Sequence, residues 1–171
     1  MIYVCVDDTD NLNSRGTGRL ARAIAAELSK KYSVFGVTRH QLFVHPDIPF
    51  TSHNSCAVIH LVSDDKDGID EIFEIAKKEI YDDFIEGSDP GLSVAHESQI
   101  LPSLIAYAKD AKDTVLTQEK ARTLAKNLNI RLEGLGGTEV PRGGGEASVA
   151  AWRLGVVEWT PGRGAGNFLF E

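Results

Sequence analysis

Apolar and polar residues fall in blocks along the 171-residue chain, and the period within each block predicts an element. Met1–Val6 is an almost unbroken apolar run, the pattern of a strand buried on both faces. Asp7–Gly18 follows as a polar loop of Asp, Asn, Ser, Thr and Gly. From Thr17 to Lys31 the positions Leu20, Ala21, Ile24, Ala25 and Leu28 share one face of a helix, with Lys30 and Lys31 suited to the negative end of its dipole. Ser33–Val44 and Ser55–Val62, rich in Val, Ile, Phe and Thr, read as strands. Pro46 and Pro49 make the intervening His45–Asn54 a loop. Asp64, Asp65 and Asp67 then lead into Ile69, Ile72, Phe73, Ala76 and Ile80, a second amphipathic helix with acid at its start.

Gly87–Gly91 is a turn and Leu92–Ala95 a short strand. Helical stretches near Gln99–Lys109 and Gln118–Leu128 follow, the second capped by Thr117 and carrying Ala121, Leu124, Ala125 and Leu128 on one face. Asn129–Glu133 is a last strand; Gly134–Gly145 holds six glycines in twelve residues, and Glu146–Val157 reads as a buried helix before a Gly-rich tail, Thr160–Glu171. The first half thus runs strand–helix–strand–strand–helix–strand, the order of a ferredoxin-like unit. No repeat, linker or composition break divides the chain. The expected architecture is a single α/β domain over residues 1–171, a mixed β-sheet flanked by helices with a ferredoxin-like βαββαβ first half.

Composition adds constraints. Lys and Arg number 18 against 25 Asp and Glu, a net charge of −7, and 42% of residues are hydrophobic, as in an ordinary globular protein. An acidic chain without interleaved basic and aromatic residues is not expected to bind nucleic acid on its own. A small-molecule or nucleotide ligand escapes that argument, because a local site and a metal ion can hold its phosphates. No stretch approaches the roughly 20 apolar residues of a membrane span, and the acidic turn after Val6 is unlike a signal peptide. Cys5 and Cys56, both in apolar strand-like runs, read as buried free thiols. A cytoplasmic protein with no membrane partner is expected.

Three constellations carry candidate chemistry. Asp7, Asp8 and Asp10 of the VDDTDN segment directly follow a strand. Three carboxylates so close repel one another unless a cation is bound, and hard oxygen donors beyond a strand end suit Mg2+ with phosphate. Capping of turns and of the next helix is the structural alternative. Arg15, Gly16, Thr17, Gly18 and Arg19 come next, with Arg22 one turn later. Arginines in a first helical turn oppose the dipole, which makes sense if an anion docks there. They equally suit pairing with Asp7, Asp8 and Asp10. The third is the Gly134–Gly145 passage with Gly136 and Gly137, a strand–loop–helix connection that either cradles phosphate or simply allows tight packing.

His40, His45, His53 and His60 crowd one region without metal-ligand spacing, and His53 with Asn54 are its best substrate contacts, being polar and in a loop. Asp89-Pro90-Gly91 reads as a plain turn. Asp8 and Arg19 are the candidate catalytic residues, as the acidic and cationic members of one pocket.

The segments VDDTDN and RGTGRLA resemble the opening of archaeal tRNA(Ile2) 2-agmatinylcytidine synthetase. Thr38–Leu61, with its IPF run, is similar to a segment of that family, as are SDPGLSVA and GLGGT with GGGEASVAA. The resemblance implies an ATP-using kinase-like region with a ferredoxin-like domain. It also implies that Asp7, Asp8 and Asp10 hold Mg2+ with ATP phosphates, and that Arg39 and the His53–Ser55 loop face the same cleft. Where the family has a Cys-Thr-Thr run this chain has Gly16-Thr17-Gly18-Arg19, and the family's basic Lys-Thr-Arg-Gly-Asn loop is Thr51–Ser55. The expectation is a stand-alone relative: an Mg-dependent, ATP-binding phosphoryl or nucleotidyl transferase or hydrolase, or else a non-catalytic nucleotide- or anion-binding module of a larger assembly.

Overall fold

The computed structural model describes residues 1–11, 16–48, 54–63 and 66–136. The expected helix Glu146–Val157 and the Gly-rich tail lie outside them. Among the described residues, five strands form one sheet: β1 (Ile2–Asp7), β2 (Ser33–Gln41), β3 (Ser55–Val62), β4 (Gly91–His96) and β5 (Arg131–Gly134). Their order across it is β2-β3-β1-β4-β5. Four α-helices among the described residues accompany them: α1 (Thr17–Leu28), α2 (Ile69–Asp82), α3 (Pro102–Asp110) and α4 (Gln118–Asn127). The first four strands and two helices have the expected βαββαβ order, and β5 extends the sheet beyond β4.

Every pairing is antiparallel, where a mixed sheet was expected. The reason is topological. Each βαβ crossover skips a position, so β1 and β2 run the same way with β3 between them, and β3 and β4 have β1 between them. α1 ends at Leu28, so Lys30 and Lys31 stand in the turn beyond it. β2 stops at Gln41: the Leu42 N–H still donates across to the Asn54 carbonyl at 2.8 Å, but the Phe43 N–H turns away to the Ala111 carbonyl at 3.0 Å.

All six residues of β1 are buried, and its alternation sorts the core into two layers. Ile2, Val4 and Val6 meet Leu20, Ile24 and Leu28 of α1 and Ile72, Phe73, Ala76 and Ile80 of α2. Tyr3 and Cys5 face the other way, with Cys56 and Val58, against Leu104 and Tyr107 of α3 and Ala121 and Ala125 of α4. Arg131 fastens β5 to α2: its guanidinium lies 3.9 Å from the centre of the Phe73 ring and pairs with Asp70, Glu74 and Glu133. Thr117 caps α4 as expected, accepting from the Lys120 N–H at 3.3 Å. No helix among the described residues is long and apolar enough to cross a membrane.

Buried polar groups mark the second layer. The Thr38 hydroxyl lies 2.7 Å from His40 Nε2 and 2.8 Å from His60 Nε2, and the His60 ring meets Tyr3 edge-on. Burial, with His40 alongside, lowers the His60 pKa to about 4. Cys5 and Cys56 are free and buried as expected, and burial pushes the Cys5 thiol up.

The His60 shift has a defined sign. The unfolded chain takes a proton near pH 6.5 that the folded one refuses until about pH 4, so this group removes stability as pH falls through that window. His60→Gln should flatten the decline between pH 7 and pH 4.5 by on the order of 2 kcal/mol in urea unfolding. An unchanged slope would exclude His60 as its source.

Candidate functional site

Strand register gathers the candidate residues at one end of the sheet. β1 and β2 finish there with Asp7 and Gln41, β3 and β4 begin there with Ser55 and Gly91, and β5 finishes with Gly134. The β1–α1 loop, the start of α1, Asn54, Asp89 and Gly136 all lie at this end. Arg39 stands near it, on the face of β2 that carries Val37 toward the α1–α2 layer.

The loop after β1 is held in an unusual conformation. Asp8 has φ of +52°, a left-handed backbone that Asp and Asn tolerate better than most residues. Its N–H donates to Asp7 Oδ1 at 2.8 Å, and its carbonyl accepts from the Asp89 N–H at 3.2 Å. Thr9, buried, donates through Oγ1 to Thr17 Oγ1 at 3.1 Å, tying the loop to the first residue of α1. Gly16 precedes that helix at φ +85°, a conformation open to glycine. Neither a side-chain cap nor an acidic residue occupies the first turn of α1.

Burial raises the Asp8 pKa to about 7, followed by the charges of Asp89 and Asp10. Asp89 therefore belongs to this cluster and is more than a turn residue. Its membership comes from the β1–β4 pairing, which brings residue 89 beside residue 8, a long-range contact that spacing along the chain does not reveal. The expected trio of Asp7, Asp8 and Asp10 is not assembled as one ligand set. Among the described residues no three His, Cys, Asp or Glu side chains converge on a point suited to a metal. Asp7 is buried, with Oδ1 accepting from the Asp8 N–H, on the face of the strand that carries Cys5. Asp8, with Asp10 and Asp89 beside it, remains a hard-oxygen donor set. It fits Mg2+ held by one or two carboxylates, the rest of its shell being water and phosphate oxygen.

The other candidates divide. Thr17 and Gly18 open α1 at the site. Arg19 pairs with Asp83 just past α2, and not with Asp7, Asp8 or Asp10, because α1 and α2 pack side by side and bring that carboxylate within reach. Arg39 donates through Nε to Ser55 Oγ at 2.8 Å. Asn54, expected to contact substrate, is buried and donates to the Phe43 carbonyl at 2.5 Å, so its amide closes the base of the β2–β3 loop. Gly136 packs on Asp89: a Cβ there would stand 2.0 Å from Asp89 Oδ1 and 2.5 Å from Asp89 Cα. Arg15, His53 and Gly137 lie outside the described residues.

No protein-family model and no curated protein sequence matches the chain. Solved structures do share its fold. The apo crystal structure of TiaS, a tRNA(Ile2) agmatidine synthetase, superposes with a TM-score of 0.72 at 20% identity, covering 89% of this chain and 34% of that one. The TiaS–tRNA(Ile2)–ATP complex gives 0.72 at 22% identity, covering 89% and 35%. The TiaS–tRNA(Ile2)–AMPCPP–agmatine complex gives 0.69 at 20% identity, with the same coverage of 89% and 35%. At these identities the likeness is one of fold, in agreement with the resemblance read from the DDTD and IPF segments, and the chain spans about a third of the length of those proteins. Two of the three hold tRNA, so the charge-based expectation against nucleic acid is withdrawn. Net charge averages over the whole surface, whereas contact with a phosphate backbone is local.

The site makes two stability predictions. The folded chain keeps the Asp8 proton up to about pH 7 while the unfolded chain loses it near 3.8, so this group's contribution disappears as pH rises across that window. Asp8→Asn, which keeps the left-handed backbone, should gain on the order of 2 kcal/mol over the wild type at pH 8 and nothing at pH 4, read by urea unfolding without metal. Gly136→Ala should lose roughly 1–3 kcal/mol, because the clash includes backbone and cannot be relieved by a rotamer change.

Proposed function

We propose that the chain binds a nucleotide, ATP, together with Mg2+ at this end of the sheet, and transfers a phosphoryl or nucleotidyl group to a small molecule or to water. One observation carries the reading: Asp8, crowded by Asp89 and Asp10, stands at the sheet end beside the uncapped, acid-free start of α1. The carboxylates suit a cation and the helix start suits an anion, and metal-bound phosphate is both. The fold's occurrence in a protein solved with ATP supports the choice of nucleotide.

In this scheme Asp8 and Asp10 hold the metal, with Asp89 adding charge beside them. Gly16, Thr17 and Gly18 let phosphate oxygens approach the backbone N–H groups of the first turn of α1. Bound there, Mg2+ would draw charge from the phosphates. Arg15 and Arg39 are the cations proposed to face them, while Arg19 fixes the α2–β4 connection through Asp83. Catalysis is then mostly positioning and charge stabilisation. That Arg19 pairs with Asp83, and that the chain spans a third of its structural neighbours, supports the second reading, a binding module without chemistry.

Thermal unfolding with ATP, with and without Mg2+, tests both. Ligand at a hundredfold over its Kd should raise Tm by roughly 5–10 °C when metal is present. Asp8→Ala should abolish the metal-dependent part. Release of ADP or pyrophosphate selects the enzyme, and the same shift without turnover on any acceptor selects the module. If ATP leaves Tm unmoved with and without Mg2+, both readings are wrong.

A further inference from the structure

We propose that Phe84 is the platform on which the base of the bound nucleotide stacks. The inference rests on the nucleotide reading above and assigns the end of the ligand that reading leaves open. The connection between α2 and β4 is fastened at three points, one on α1 and two on the carboxylate loop. Asp83 pairs with Arg19 of α1, the Glu86 carbonyl accepts from Asn11 Nδ2 at 3.4 Å, and the Asp89 N–H donates to the Asp8 carbonyl at 3.2 Å. Phe84 lies inside this clamped segment, one residue past its first tether. Its own N–H donates to the Tyr81 carbonyl at 3.3 Å, which turns the chain as it leaves α2.

Phe84 is nonetheless 43% exposed, and Tyr81, one turn earlier, is 51% exposed. The segment around them carries Asp82, Asp83 and Glu86. Asp82 pairs with Lys78 and Asp83 with Arg19, so Glu86 leaves the segment mildly acidic, and the triphosphate belongs at Asp8 and the start of α1, where a metal offsets the acids. The base is the neutral part of the nucleotide. Its face gains by stacking on an exposed ring, and the adenine amino group can donate to nearby carboxylates or carbonyls.

Titration calorimetry with Mg-ATP and with Mg-tripolyphosphate, which lacks the base, decides the matter for the wild type, Phe84→Ala and Phe84→Trp. Phe84→Ala should weaken ATP by roughly 5- to 150-fold and leave tripolyphosphate unchanged. Phe84→Trp should keep the ATP affinity and show quenching of tryptophan fluorescence by ATP beyond any from Trp152 and Trp159 in the wild type. Equal ATP affinity in Phe84→Ala and wild type overturns the stacking role alone. So does an equal loss for both ligands, which means a disturbed site. A wild type that binds neither ligand overturns the nucleotide reading itself, and the stacking role with it.

Discussion

Burial of β1 on both faces is the constraint from which the rest of the structure follows. An apolar strand with neighbours on each edge and helices on each side satisfies its backbone through two antiparallel ladders and leaves no room for charge along its length. Charge can enter only where the strand stops, and there Asp7, Asp8 and Asp10 arrive together. The same two ladders set the register of β3 and β4, and so decide that Ser55 and Asp89 reach the same end. The position of the candidate site is thus a by-product of core formation.

Much of this was legible in the residues. The unbroken apolar run Met1–Val6, the helical period from Leu20 to Leu28 and the β-rich Ser55–Val62 each carry their own local signal, and the βαββαβ order follows from them. The sheet's antiparallel character did not, because it depends on which strands become neighbours after the crossovers. Among the candidate site residues, the acidic loop and the start of α1 stand out by composition alone. Asp89 did not, since Asp-Pro-Gly is an ordinary turn sequence and only the β1–β4 pairing makes it a neighbour of Asp8. Asn54 shows the opposite: a polar loop residue beside histidine looks like a ligand contact, and the sequence gives no sign that its amide donates to the Phe43 carbonyl across the base of the loop.

The arginines show how electrostatics divides between fold and chemistry. A cation in the first turn of a helix is disfavoured by the dipole, and Arg19 meets that cost through the Asp83 carboxylate at the end of the adjacent helix. The pair joins the first turn of α1 to the segment that follows α2. Arg131 does the equivalent at the far edge, where a cation over an aromatic face and three carboxylates join the last strand to α2.

The contact between Gly136 and Asp89 has a mechanical consequence. There is no space for even one carbon between them, and the Leu135 N–H donates to the Pro90 carbonyl at 2.7 Å, so these two stretches of backbone are in direct contact beyond the β4–β5 ladder. Asp89 in turn grips the carbonyl of Asp8. A side chain larger than hydrogen at residue 136 would therefore press on the segment bonded to Asp8, a carboxylate already crowded by Asp89 and Asp10.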